Sequence, residues 1–193
     1  MNFCSNCGSQ NIGLKVPEGD NRPRFVCDDC GEIFYHNPKM VVGCVPRWKE
    51  KVLLCKRAIP PRYGYWTLPA GYMENQESAA NGAAREAHEE ALAKTRIGNV
   101  FTQFSIPHIN QVYILFLADM ETAEFGAGEE SLDAALFARE EIPWDELAFP
   151  VMRKTLELYF EDADRGRFRT HSGEVWFPSG DRTRPEFKIV SGD

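Results

Sequence analysis

The sequence predicts an α/β domain preceded by a small module held by four cysteines, and three observations carry that prediction. Cys4 with Cys7 and Cys27 with Cys30 form two Cys-x-x-Cys pairs with 19 residues between them. Runs rich in β-branched and aromatic residues at Met40 to Val45, Lys51 to Arg57, Ile97 to Ser105 and Val112 to Asp119 read as strands. An alanine-rich acidic segment ending near Ala91 has helical spacing, as does Val151 to Asp162 through Leu156, Tyr159 and Phe160. A chain of 193 residues has room for one ordinary core and a small appendage. It is 43% hydrophobic, with no apolar run near the ~20 residues that a membrane span needs. A soluble chain without a membrane partner is therefore expected. The net charge of -7 weighs against a broad nucleic-acid surface, so nucleic acid is not an expected partner. Met1-Asn2-Phe3-Cys4 lacks the regions of a secretory signal, which places the chain in a reducing cytoplasm.

The cysteine module spans residues 1–36. Its spacing is that of a zinc ribbon, with Cys4, Cys7, Cys27 and Cys30 as thiolate ligands. Disulfides do not suit a reducing compartment, and a redox pair would need one such motif beside a β-α unit. Four thiolates close the zinc shell, so the metal is structural, and it supplies much of the folding free energy of so small a module. Phe34 to Pro38 reads as a turn at the junction, and a second domain spans residues 37–165. Cys44 and Cys55 are expected as buried free thiols in its first strands. Ile59 to Tyr65 is a loop delivering Trp66-Thr67-Leu68-Pro69 to Gly71, where the backbone can approach other groups closely. Ser78 is positioned to cap the helix that follows. At about 100° per residue, Glu86, Glu89 and Glu90 fall on one arc of that helix, with Ala80, Ala84, Ala87 and Ala91 on another. Acidic helix faces are usually just solvated. Three like charges so close nevertheless ask for a cation, and hard divalent ions take oxygen ligands. Further on come a glycine-rich acidic loop from Phe125 to Asp133, a strand near Ala135 to Arg139 and the second helix. Residues 166–193 read as an irregular basic tail packed on a partner subunit.

Gly71, five residues, Glu77, seven residues and then Arg85-Glu86-Ala87-His88-Glu89-Glu90 resembles the signature box of the Nudix hydrolases. That pattern continues with any residue, a glycine and an apolar residue, whereas this chain has Ala91-Leu92-Ala93 and lacks the late glycine. The resemblance covers roughly Met40 to Asp162. It implies a Nudix α/β/α sandwich with a mixed sheet, and a diphosphatase that converts a nucleoside diphosphate derivative to two monophosphates. A zinc ribbon ahead of the box resembles the branch that includes NADH diphosphatases. Their marker Ser-Gln-Pro-Trp-Pro-Phe-Pro is absent, the region reading Phe101-Thr102-Gln103-Phe104-Ser105-Ile106-Pro107-His108. Asn37 to Cys44, Trp66 to Tyr72 and Glu130-Ser131-Leu132 look instead like FAD and ADP-ribose diphosphatases.

By that resemblance, Glu86 and Glu90 are the principal ligands of Mg²⁺ or Mn²⁺, with Glu89 assisting and the backbone carbonyl around Ala70 or Gly71 completing the site. Arg85 and Glu77 orient the carboxylates. Glu130 is the first candidate for general base, ahead of Glu129 and Asp133, with Glu89 as the substitute within the box. Arg57 and Lys56 offer charge to a phosphate, and Tyr113, Tyr35 or Trp66 a face for a ring. His88 occupies a free position of the box and reads as a surface residue. A homodimer is expected. The alternatives are NADH, free or as an RNA cap, and a non-catalytic nucleotide sensor.

Overall fold

Residues 1–178 and 185–191 are described by the computed structural model, in which the chain forms one unit from Met1 to Pro38 and another from Lys39 to Asp193. In the first unit, β1 (Ile12–Lys15), β2 (Arg24–Cys27) and β3 (Ile33–Phe34) form an antiparallel sheet in that order. The two cysteine pairs fold alike. Gly8 N–H donates to the Cys4 carbonyl at 2.8 Å and Gly31 N–H to the Cys27 carbonyl at 2.9 Å, each glycine lying at positive φ. Cys4 and Cys27 are buried while Leu14 and Val16 are exposed. The sulfur cluster thus stands in for an apolar core.

The second unit is built on a mixed sheet. β4 (Lys39–Trp48) turns back into β5 (Lys51–Arg57), but the two pair only at Arg47 with Val52 and Trp48 with Lys51. Beyond that the strands part, and the chain returns between them. β6 (Trp66–Thr67) pairs with β5, and β7 (Ala70–Tyr72) pairs with β4. β8 (Thr95–Ile106) and β9 (Gln111–Met120) are antiparallel, β9 runs parallel to β4, and β10 (Ser131–Phe137) closes the edge on β5. Alternation along β4 sends Val41 and Val45 to one face and Cys44 to the other. The first face packs on Val151, Met152 and Leu156 of α2 (Pro150–Asp164), the second on Ala83 and Ala87 of α1 (Ala79–Ala91). This is the expected sheet between helices, with Cys44 and Cys55 buried and free. Among the described residues, no helix is long and apolar enough to cross a membrane.

The tail corrects the expectation. After Gly166 the chain is not irregular: β11 (His171–Trp176) runs parallel to β8, and β12 (Glu186–Ser191) is antiparallel to β11. Buried Asp162 of α2 fastens it, accepting the Arg169 N–H at 2.9 Å and meeting His171 Nε2 at 2.8 Å, while His171 Nδ1 meets Ser191 Oγ at 2.7 Å. The segment packs on its own domain through pairing with β8, a non-local contact that local composition does not report. Residues 179–184 and 192–193 of the expected tail lie outside the described residues.

Candidate active site

Ser78 caps α1 as expected, its hydroxyl accepting the Asn81 N–H at 3.2 Å. Alanines let the helix lie close on the sheet, and that closeness buries carboxylates too. Ala83, Ala87 and Ala91 share the buried face with Glu86 and Glu90, each only 7% exposed, while Glu89 and His88 face outward. Glu90 Oε2 accepts the Ala70 N–H at 3.1 Å. Burial pushes the Glu90 carboxyl up to about 8; the Glu86 and Glu130 charges add to the rise, and the Ala70 N–H and Arg57 oppose it. Burial also raises the Glu86 carboxyl, against the pull of Arg85. Gly71 lies directly against Glu86: a Cβ there would come within 2.5 Å of both carboxylate oxygens.

Arg85 ties the box together. Its Nε and Nη2 donate to Glu77 at 3.1 and 2.9 Å, Nη1 to Glu86 at 2.7 Å and to Glu89 at 2.8 Å, and Nη2 to the Tyr72 carbonyl at 3.2 Å. Glu77 in turn accepts the Glu74 N–H at 2.7 Å. The guanidinium, stabilised first by Glu77 and then by Glu86 and Glu89, stays protonated.

The helix ends at Leu92, in the left-handed region at φ 51° and ψ 17°. This is the position where the signature pattern has glycine, which takes such a conformation without steric cost. The loop carrying the later acids docks on this end. Gly126 N–H donates to the Ala91 carbonyl at 2.9 Å and Gly128 N–H to the Glu90 carbonyl at 3.1 Å. A Cβ on Gly128 would overlap the Glu89 carbonyl oxygen. Ala58 N–H donates to the Glu130 carbonyl at 2.8 Å, fixing the loop to the strand side as well.

These elements enclose a cavity of about 1000 Å³. Glu86, Glu89, Glu90, Arg85, Gly71, Glu129, Glu130, Arg57 and Tyr113 all line it. Arg57 donates to the Pro61 carbonyl at 2.9 Å and lies 5.2 Å from the Phe149 ring centroid. Burial raises the Tyr113 hydroxyl to about 12. Other candidates are not brought here. Asp133 is exposed and accepts the Ala134 N–H, Lys56 lies over the Trp66 ring, and Trp66 is core, edge-on to Phe137 at 4.9 Å. Tyr35 belongs to the first unit, where Arg24 lies over its ring. The lining also includes Tyr72, His108, Gln111, Phe149 and Phe177, none of which the sequence reading singled out. The run Glu174-Val175-Trp176-Phe177 carried a strand signal that the neighbouring glycines and basic residues masked.

Two metal-binding sets stand out. The Sγ atoms of Cys4, Cys7, Cys27 and Cys30 all lie within 4.8 Å of one another, a donor set that fits Zn²⁺. Among the described residues no set of three carboxylates closes to that distance, Glu86, Glu89 and Glu90 included. Their oxygens are the donors that Mg²⁺ or Mn²⁺ takes; burial disfavours the ionised forms of Glu86 and Glu90, and the Arg85 guanidinium that meets Glu86 is shared with Glu77 and Glu89.

Comparison with known proteins agrees with this fold. The family model described as Nudix N-terminal, a zinc ribbon, matches residues 2–36, and the NUDIX domain model matches residues 37–159. An NAD-capped RNA hydrolase NudC from Photobacterium profundum is 27% identical over 141 residues, covering 72% of this chain and 50% of that protein. An ADP-ribose pyrophosphatase from Methanocaldococcus jannaschii is 28% identical over 121 residues, covering 60% of this chain and 69% of that protein. The chain therefore spans half the length of the first relative. A crystal structure of a NUDIX hydrolase from Nitrosomonas europaea is 49% identical with a TM-score of 0.88, covering 91% of this chain and 99% of that one. Since the NUDIX domain accounts for well over half of the residues and its ribbon for half of the remainder, this chain belongs to the Nudix hydrolase family.

Proposed function

We propose that the chain is a metal-dependent diphosphatase that hydrolyses a nucleoside diphosphate derivative to two monophosphates, with FAD or ADP-ribose as the favoured substrates. The observation that carries this reading is the buried pair Glu86 and Glu90, with Arg85 shared among Glu77, Glu86 and Glu89, on the wall of a cavity that Arg57 and Arg85 also line. In it, Glu86 and Glu90 hold Mg²⁺ or Mn²⁺, with Glu89 assisting and the Gly71 backbone alongside. Bound divalent cations supply the positive charge and Lewis acidity that attack of water on a diphosphate requires. Arg85 keeps Glu77, Glu86 and Glu89 in fixed rotamers, so that the carboxylates are set before substrate arrives. Arg57 offers charge to a phosphate oxygen. Glu130, on the loop docked to the end of α1, takes the proton from the attacking water as it bonds to phosphorus, and the second monophosphate leaves in line.

The test is a turnover screen with Mg²⁺ over FAD, ADP-ribose, NADH, diadenosine compounds and nucleoside triphosphates. Release of two monophosphates from FAD or ADP-ribose is expected. Absence of turnover with every compound, under Mg²⁺ and Mn²⁺ alike, overturns the reading in favour of a nucleotide sensor. The likeness to a NudC protein named for NAD-capped RNA supports a second reading, in which NADH or an NAD cap is cleaved. It brings back the nucleic-acid substrate that net charge alone weighed against, and NADH and capped RNA in the same screen decide it.

A further inference from the structure

The cavity has a second end with different chemistry. Its carboxylates and arginines come from β5, from the turn after β7, from α1 and from the loop before β10. Crossing the sheet from β4 through β9 and β8 to β11 takes three inter-strand steps, roughly 14 Å at ~4.8 Å each. The lining contributed along that path is Tyr113, Gln111, Ile106, His108, Val175 and Phe177 and their neighbour Ile109, without a carboxylate, lysine or arginine. Glu174 lies opposite Ser105 in the parallel pairing of β11 with β8, so Val175 and Phe177 run beside Ile106 and the turn Pro107–Ile109. There His108 and Phe177 meet edge to face, with ring centroids 4.4 Å apart. Gln111 Nε2 donates to the Tyr72 hydroxyl at 3.0 Å, an amide and a phenol on the path between the two ends.

We propose that His108 and Phe177 form a subsite for the nucleobase of the substrate, with the ribose reaching back to the diphosphate at the acidic end; this rests on the diphosphatase reading. Uncharged apolar walls and aromatic rings suit a planar base and do not suit a phosphate or a sugar acid. Gln111 can donate to or accept from the polar edge of that base. Phe177 lies beyond residues 37–159, the segment matched to the NUDIX domain. The ring selectivity of this chain is then contributed by the turn before β9 and the residue that follows β11, and not by the carboxylate box.

The test uses the full chain and equilibrium calorimetry with AMP and FMN as probes, comparing wild type, Phe177→Leu and His108→Ala. Leucine keeps apolar volume next to β8 while removing the ring, and His108 is exposed, so both variants should fold. Affinity for the mononucleotide should fall roughly tenfold in each, with a matching rise in KM for the dinucleotide, while Mn²⁺ affinity measured by paramagnetic resonance stays at the wild-type value. Binding insensitive to both substitutions, or a wild type that binds neither probe, overturns the subsite. Phe177-dependent AMP binding in a protein that cleaves no diphosphate keeps the subsite and removes the diphosphatase reading. Diphosphate cleavage with unchanged KM in both variants does the reverse.

Discussion

Replacing Glu90 with glutamine should stabilise the magnesium-free protein while removing its turnover. Burial holds the Glu90 carboxyl protonated up to about pH 8, whereas in the unfolded chain it ionises near 4.5. Between those values the folded state keeps a proton that the unfolded state has released, so stability falls as pH rises through this window and is flat on either side. From 4.5 to pH 7, at about 1.36 kcal/mol per pH unit, the loss is about 3 kcal/mol. Glutamine resembles the protonated carboxyl, retains an oxygen for the Ala70 N–H and does not titrate. Urea unfolding followed by tryptophan fluorescence reads this domain alone, because Trp48, Trp66, Trp144 and Trp176 all lie after Pro38. Magnesium should be removed by dialysis without chelator, so that the ribbon keeps its zinc. Wild type and Glu90→Gln should coincide near pH 5 and separate steadily towards pH 8, with the variant more stable; Mg²⁺ should then rescue wild type only. Parallel stability profiles across that range, or equal rescue of both proteins by Mg²⁺, would refute the reasoning.

Gly71→Ala should fold yet lose about 10²-fold in turnover, because its Cβ displaces the Glu86 carboxylate; wild-type kinetics in the purified variant would show that Glu86 has room to move. Cys27→Ser should abolish stoichiometric zinc and make residues 1–38 protease-sensitive, while tryptophan-monitored stability changes little; full zinc content by elemental analysis contradicts the four-thiolate site. Glu130→Gln should slow single turnover by ~10² to 10⁴ without weakening Mg²⁺ binding. If Glu130→Gln is as fast as wild type while Glu129→Gln is slow, the base is the neighbour.

The parts of this protein legible in its sequence are those whose chemistry is local. Two cysteine pairs announce the ribbon, and the spacing of Glu86, Glu89 and Glu90 announces the acidic helix, because a ligand set on one turn or one helix is written in consecutive residues. The burial of Glu86 and Glu90 was less visible. An acidic arc and an alanine stripe look like separate faces on paper, but close packing of α1 on the sheet takes both carboxylates inside with Ala83, Ala87 and Ala91. Trp66 shows the opposite failure: it reads as a ring platform, yet its neighbour across the core is Phe137. Phe177 and His108 could not be paired from sequence, since they meet only when β11 lies beside β8, some seventy residues earlier in the chain. The same pairing turns an apparently formless tail into two strands.

The docking of the loop on the end of α1 limits where this protein can vary. Residues 121–124 are exposed, and length added there would extend into solvent. From Gly126 to Ser131 the register is held by Gly126 on Ala91, Gly128 on Glu90, Ser131 on Gly128 and Ala58 on Glu130. One residue inserted in that stretch would shift Glu129 and Glu130 relative to the carboxylates of the helix. New loop length, and with it new contacts at the cavity mouth, can be accommodated before Phe125 and not after it.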